Sequence, residues 1–451
     1  MRVAWSNLHE PADDATVEVS GYPLAPGTAR TARTFLILPE PRCCMGHAPA
    51  DPSGAIEVFC ADPIAVRGGM LRLSGRWQTG HDSWRFQLHD ARPIEPPGWR
   101  AVTRRGVLAS GPLMCLAATV GPESKAATRF ALGAGTTVDI HSHAGNIASM
   151  RRIQSGSDFS AIAEPMRQGG MAAICLAIVS DSATHRVTDG RIRPFRDPAA
   201  GELYRYGALA FERVHQVVKR EGLRLVVTAA DLTGPPPNVV IAAEGADFLE
   251  GQIDRVEEAY RRWTLRHLQL THYRVNELGD IQTEPAVHGG LTAFGAEVIR
   301  RCNRLGIVVD VAHGTLDLVK RAASVTTKPL VLSHTSLAAR PSPTSRQITA
   351  EHARVVAGTG GVIGVWPVSE IYPNMTAMAV GMARLADVAG VDHVGLGTDL
   401  RGLTGASTIR DYDELPLLAE ALLATGFNAA DVGKILGGNY VRVFAASLAA
   451  G

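Results

Sequence analysis

Two imidazoles stand two residues apart in "TVDIHSHAG", at His141 and His143, directly after a short β-branched run. Side chains i and i+2 of a strand leave the same face. Both rings would therefore project together, either as metal ligands or as polar groups in a loop, and the pair alone does not decide. Further along, apolar runs end in Glu244 ("NVVIAAE"), His272 ("HLQLTH"), His313 ("IVVDVAH"), His334 ("PLVLSH") and Asp399 ("HVGLGTD"). Singly, each is an ordinary turn or helix-capping residue; jointly, they point to one site. Imidazole and carboxylate donors without cysteine suit Zn²⁺ or another divalent ion in an open, catalytic centre. Four of these histidines and a glutamate already exceed the three protein ligands of a single catalytic zinc, and they fit two ions sharing Glu244 as a bridge. Such a pair can hold a hydroxide between its ions and polarise a scissile carbonyl.

The elements that must position these residues are legible in the same stretches. From about residue 121, apolar strands alternate with amphipathic helices. Strands are expected at "TTVDIH", "MAAICLAIV", "NVVIAAE", "HLQLTH", "IVVDVAH", "PLVLSH", "GVIGVW" and "HVGLGTD". Helices such as "LAFERVHQVVKREG" and "FGAEVIRRCNRLG" lie between them, the latter closed by a glycine. Eight continuous apolar strands with helical crossovers predict an α/β fold, a parallel (β/α)8 TIM-type barrel over residues 121–451. In that architecture every strand ends at one rim. The titratable ends of six of the eight strands would therefore meet.

Residues 1–97 read differently, as short β-rich runs separated by Gly, Pro and Asp turns. They predict a small β-rich module, barrel or sandwich, of unassigned role. Within it Cys43, Cys44 and His47 lie close enough to ligate a metal, but no second Cys pair follows, and free thiols are the expectation. Residues 98–120 read as a linker. It contains most of "TRRGVLASGPLMCLAATVG", Thr103 to Gly121, whose paired arginines and apolar stretch resemble a twin-arginine export signal. An interdomain linker is the expected reading, with a cytoplasmic location for the chain as written. Export or membrane association follows if the segment acts as a signal.

The totals exclude several classes. The chain has 451 residues, 46% hydrophobic and 20% charged, with a net charge of +1 and no long single-sign run. Neither nucleic acid nor an acidic membrane surface is implied as a partner. Six cysteines in this length do not make a disulfide scaffold, and no segment is long enough for an ordinary transmembrane helix.

The chain resembles the renal, or membrane, dipeptidase family of binuclear zinc metallopeptidases, from about Thr137 to Phe444. The resemblance rests on "VDIHSH", "AAEG", "LTHYRVNELGD", "GLTAFGAEVIRRCNRLGIVVDVAH", "PLVLSHTS", "SRQIT", "DHVGLGTD" and "ILGGNYVRVF". It implies that His141, His143 and Glu244 hold the first ion, and Glu244, His313 and His334 the second. His272 matches the histidine that steadies the oxyanion, and Arg346 the arginine that grips the substrate's C-terminal carboxylate. Asp399 matches the aspartate near the free amino group, which carries the proton to the leaving amine. Catalysis would thus fall to Asp399, His272 and Glu244, and substrate binding to Arg346, His272 and Asp399. A dipeptide carries opposite charges at its ends, so a guanidinium fork and a carboxylate would measure its length.

Two positions depart from the family pattern. His143 stands where an aspartate is common, making the first site less anionic. Arg401 stands where an acidic residue is common, which places a cation near the amino-group subsite unless it points aside after leaving the strand. The leading expectation is a metal-dependent dipeptidase with two divalent ions, Zn²⁺ first among them, acting on a small dipeptide-like substrate. The alternatives are a binuclear amidohydrolase for N-acyl amino acids or related amides, and a catalytically inactive binding protein. A homodimer is compatible with the sequence.

Overall fold

The structure, a computed structural model, describes residues 136–449 apart from 189–190, 339 and 343. Before residue 95 it describes Val3, Trp5, Leu8, 10–24, 31–39, 55–65, 71–79 and 86–94. The Cys43, Cys44 and His47 cluster and the Thr103–Gly121 segment lie outside the described residues. The chain divides into two compact units, Met1–Thr119 and Val120–Gly451.

The first unit contains β1 (Thr16–Leu24), β2 (Thr31–Leu38), β3 (Ile56–Ala65), β4 (Leu71–Thr79) and β5 (Phe86–Pro93). They close into a barrel in the order β1-β2-β3-β5-β4, with β1 antiparallel to β4 and β3 parallel to β5. Alternation drives the closure. Val17 and Val19, Phe35 and Ile37, Leu73 and Trp77, and Phe86 and Leu88 alternate inward and form one buried core.

The second unit opens with β6 (Val138–Ser142) and β7 (Ala173–Val179), followed by a ribbon of β8 (His185–Thr188) and β9 (Arg191–Pro194) and a short β10 (Arg224–Leu225). Then come β11 (Asn238–Glu244), β12 (Leu265–Gln269), β13 (Val308–Asp310), β14 (Val331–Thr335), β15 (Val362–Val365) and β16 (Val394–Leu396). Strands β6, β7 and β11 to β16 pair in parallel, and β11 also pairs with β7, closing an eight-stranded barrel. Helices cross over between these strands, including Glu202–Glu221 and Ala293–Leu305. This is the expected (β/α)8 architecture.

Both faces of these strands are buried, so they read as unbroken apolar runs rather than alternating ones. Ile174, Leu176, Ile178, Val239 and Ile241 pack outward under the helices. Val138, Ala173, Val240, Val308, Val331 and Val362 pack with Tyr440, Val443 and Phe444 of the C-terminal helix Asn439–Leu448. Most of that second set opens its strand, so the apolar cluster fills the end of the barrel opposite the titratable strand ends. Among the described residues, no helix is long and apolar enough to cross a membrane, and Cys60, Cys175 and Cys302 are free and buried.

Candidate active site

The barrel brings His141, His143, Glu244, His272, His313, His334, Arg346 and Asp399 together, and every one of them is buried. Glu244 arrives by plain periodicity, continuing the inward row of Val240 and Ala242. His141 and His334 arrive differently. The pairing register slips between Asp139 and Ser142 in β6, and between Leu332 and Thr335 in β14. A local extra residue re-aims the side chains that follow it. His313 and Asp399 have left-handed backbones, with φ of 67° and 49°. Such strain in non-glycine residues is sustained only by a surrounding structure that fixes it.

The imidazole Nε2 atoms converge on one carboxylate. Glu244 Oε1 lies 3.5 Å from His141, 3.3 Å from His313 and 3.4 Å from His334. Its Oε2 lies 3.1 Å from His143 and 3.3 Å from His272. His141 and His143 Nε2 are 3.3 Å apart, and those of His313 and His334 are 3.1 Å apart. Glu244 thus sits between two histidine pairs, as a shared ligand must.

The opposite ring nitrogens are engaged elsewhere. His143 Nδ1 donates to the Ala177 carbonyl at 2.7 Å and His313 Nδ1 to the His272 carbonyl at 3.0 Å. The Ser333 hydroxyl meets Nδ1 of His334 at 2.9 Å and of His141 at 3.4 Å. In neutral rings so held, Nε2 carries the lone pair. Two such lone pairs at 3.1 Å repel unless a cation lies against them, so the donor set fits divalent metal. Burial, aided by the Arg346 charge, pushes His313 and His334 well below the usual imidazole range and keeps them neutral. Burial opposes the charge on Glu244, yet the surrounding imidazoles outweigh it and hold its carboxyl well below the usual range.

His143 differs from the other ligands. Burial disfavours its charge, but hydrogen bonds to Asp399 (Oδ1 at 3.3 Å) and Glu244 prevail and hold it up at about 10. With Nδ1 donating to Ala177, the ring bridges two carboxylates as an imidazolium. A metal must displace that proton.

His272 is set by a residue that strand-end reasoning missed. Asp181, fully buried, accepts from His272 Nδ1 at 2.7 Å, from His185 Nδ1 at 3.1 Å and from the Tyr273 amide at 3.1 Å. Burial resists the His272 charge, but Asp181 and Glu244 overcome it and raise the ring's pKa. Asp181 lies two residues past β7 in "AIVSD", so an aspartate just beyond an apolar run was the available signal.

His143, Glu244, His272, His313 and His334 line a cavity of about 400 Å³. Arg346 forms part of its wall, donating from Nη1 to Gln282 Oε1 at 2.5 Å and from Nη2 to His334 Nε2 at 3.2 Å. Its guanidinium sits 5.6 Å from the Trp366 ring centroid, and its Nε has no partner. Among the described residues, no carboxylate pairs with it. Asp399 and Glu370 also line the cavity, whereas Arg401 turns away to pair with Asp411 at 3.0 Å. The cation expected near Asp399 is therefore directed elsewhere.

The comparisons with known proteins agree with this geometry. The model of the membrane dipeptidase family, peptidase family M19, matches residues 140–450. Dipeptidase aclJ of Aspergillus oryzae is 30% identical over 217 residues, which is 45% of this chain and 50% of that protein. Dipeptidase 3 of Mus musculus is 26% identical over 256 residues, 54% of this chain and 50% of that one. The chain spans about half the length of each of these curated relatives. Among solved structures, a metallo peptidase from Rhodobacter sphaeroides, liganded with a phosphinate mimic of the dipeptide L-Ala-D-Ala, superposes with a TM-score of 0.57. It is 20% identical, covering 69% of this chain and 99% of that one, a likeness of fold. The family match takes in every member of the buried histidine and carboxylate cluster, and the chain belongs to the membrane dipeptidase family, peptidase family M19.

Proposed function

We propose that the protein is a metal-dependent dipeptidase that holds two divalent ions, Zn²⁺ first among candidates. His141, His143 and Glu244 would hold one ion, and Glu244, His313 and His334 the other. When bound, such a pair activates water and polarises an amide carbonyl. The observation that carries the reading is the unpaired, buried Arg346 guanidinium, which shares one cavity with the ligand cluster and with Asp399. A cation without an anion inside a protein is costly unless a ligand supplies the counter-charge, and a substrate carboxylate has that charge and the matching planar fork.

The remaining roles are those the family resemblance implies, and the shared cavity supports them. Arg346 receives the C-terminal carboxylate, and Asp399 receives the free ammonium group. His272, held through Nδ1 by Asp181, presents Nε2–H to the oxygen that gains charge as water adds to the carbonyl. Asp399 takes up the proton that the adding water gives up and passes it to the departing amine as the C–N bond breaks, and two amino acids leave.

The test compares a dipeptide with its C-terminal amide and its N-acetyl form, in metal-loaded wild type and Arg346→Met. Losing one partner of a desolvated charged pair costs about 2–5 kcal/mol. Amidation should therefore lower kcat/KM at least about thirtyfold in wild type and hardly at all in Arg346→Met. Equal loss in both proteins would refute the assignment of Arg346. Preference for the N-acetyl compound would replace the dipeptidase reading with the N-acyl amidohydrolase one.

A further inference from the structure

The cavity wall holds a second guanidinium to which the reaction assigns no task. Arg191, the first residue of β9, lines the same cavity as Arg346. Both are tethered to consecutive residues of one loop. Arg346 Nη1 donates to the Gln282 side chain, and Arg191 Nη2 donates to the Thr283 carbonyl at 2.8 Å. Arg191 therefore sits on the carboxylate-binding side of the cavity, next to the expected position of the substrate's C-terminal residue.

Its neighbourhood shows which charges are already satisfied. Arg193, two residues on and so on the same ribbon face, is paired with Glu284 through Nε at 3.2 Å. Arg191 has no carboxylate partner among the described residues. Beside its anchor, Thr283 also lines the cavity, and its buried hydroxyl has no hydrogen-bond partner. A guanidinium and a hydroxyl are thus left open to one feature of the cavity, while Arg346 is occupied with the main-chain carboxylate.

We propose that Arg191, with the Thr283 hydroxyl, is a specificity subsite for a second carboxylate, so that the preferred substrates are dipeptides whose C-terminal residue is acidic. This inference rests on the dipeptidase reading. The bond to the Thr283 carbonyl by itself would make Arg191 only a clasp holding the β8–β9 ribbon to the loop. A clasp, however, serves every substrate alike, whereas a subsite discriminates between them.

The experiment measures kcat/KM of the metal-loaded full chain on Ala-Asp against Ala-Asn and Ala-Glu against Ala-Gln, with the C-terminal residue in both L and D forms. Asp-Ala against Asn-Ala serves as the positional control. The preference for acid over amide at the C-terminal residue should be at least about tenfold, the lower end for a charge-assisted hydrogen bond. The control pair should show no such preference. Arg191→Met should erase the preference by lowering the acidic substrates while the amides stay within about threefold of wild type. Arg191→Lys should retain part of it, since it keeps the charge and loses the planar fork. Turnover without the preference in wild type, or an equal loss on acidic and amide substrates in Arg191→Met, overturns the subsite and leaves the dipeptidase reading standing. No turnover of any dipeptide overturns both.

Discussion

Asp181→Asn is the sharpest test of how this site makes its oxyanion donor. The carboxylate is fully buried and accepts three hydrogen bonds, from His272, His185 and the Tyr273 amide. An asparagine of the same shape has one acceptor oxygen and an NH₂ group. If its oxygen stays on His272, the NH₂ faces the Tyr273 N–H. If it flips, the NH₂ faces His272 Nδ1–H and that proton must leave. Either way the negative charge that raises the His272 pKa and favours its charged form is lost, although Nε2–H can still be presented. Hydrogen bonds to charged groups contribute about 1.5–3 kcal/mol, and deleting an oxyanion donor outright costs about 10²–10³ in kcat. A donor retained without its charge should therefore cost about 10- to 100-fold in kcat, with KM within about threefold. The assay is steady-state hydrolysis of one good dipeptide, with elemental analysis and a melting curve confirming metal content and fold. A folded, metal-replete Asp181→Asn protein with kcat within threefold of wild type would refute the role assigned to the Asp181–His272 pair.

Other substitutions probe the rest of the centre. Glu244→Gln removes the one carboxylate shared by both histidine pairs, so elemental analysis should find both ions depleted and turnover abolished; retention of one full ion would refute the bridge. His143→Asp places a third carboxylate beside Glu244 and Asp399, which lie 3.1 and 3.3 Å from the His143 ring. The metal-free protein should melt lower and the metal-induced rise in Tm should grow, whereas an unchanged rise would deny His143 a ligand position. A Cβ at Gly402 would lie 2.0 Å from Asp399 Oδ1 and 2.4 Å from His143 Cδ2. Gly402→Ala should therefore displace Asp399 and lower kcat, by up to about a hundredfold for a 1 Å misplacement; an unchanged kcat would show that Asp399 placement is not critical.

How much of this was legible in the sequence depended on which physical rule placed each residue. All eight barrel strands were, because a parallel strand buried on both faces must be apolar throughout and stands out from its helices. Glu244 and the four histidines assigned to the ions were legible as the chemistry found where those runs stop. The five short strands of the first unit did not distinguish a barrel from a sandwich. Alternating burial serves both, and closure depends on long-range pairings such as β3 with β5. Asp181 was missed because it lies in the turn beyond its strand, and Arg191 because it belongs to a ribbon inserted between β7 and the helix that follows.

The strand-end pattern located the site but not the direction of its side chains. Simple i, i+2 alternation accounts for Glu244, yet it fails for His141 and His334, where register slips change the parity. The same rule would put Arg401 beside Asp399. Instead both residues have left-handed backbones, with φ of 67° and 49°, and the chain between them no longer alternates. Asp399 is held by its amide on the His141 carbonyl at 2.9 Å and faces the cavity, while Arg401 swings out to Asp411. A local backbone distortion therefore keeps a cation, two residues from the site's carboxylate, out of the cavity. Composition cannot reveal that; only the path of the backbone does.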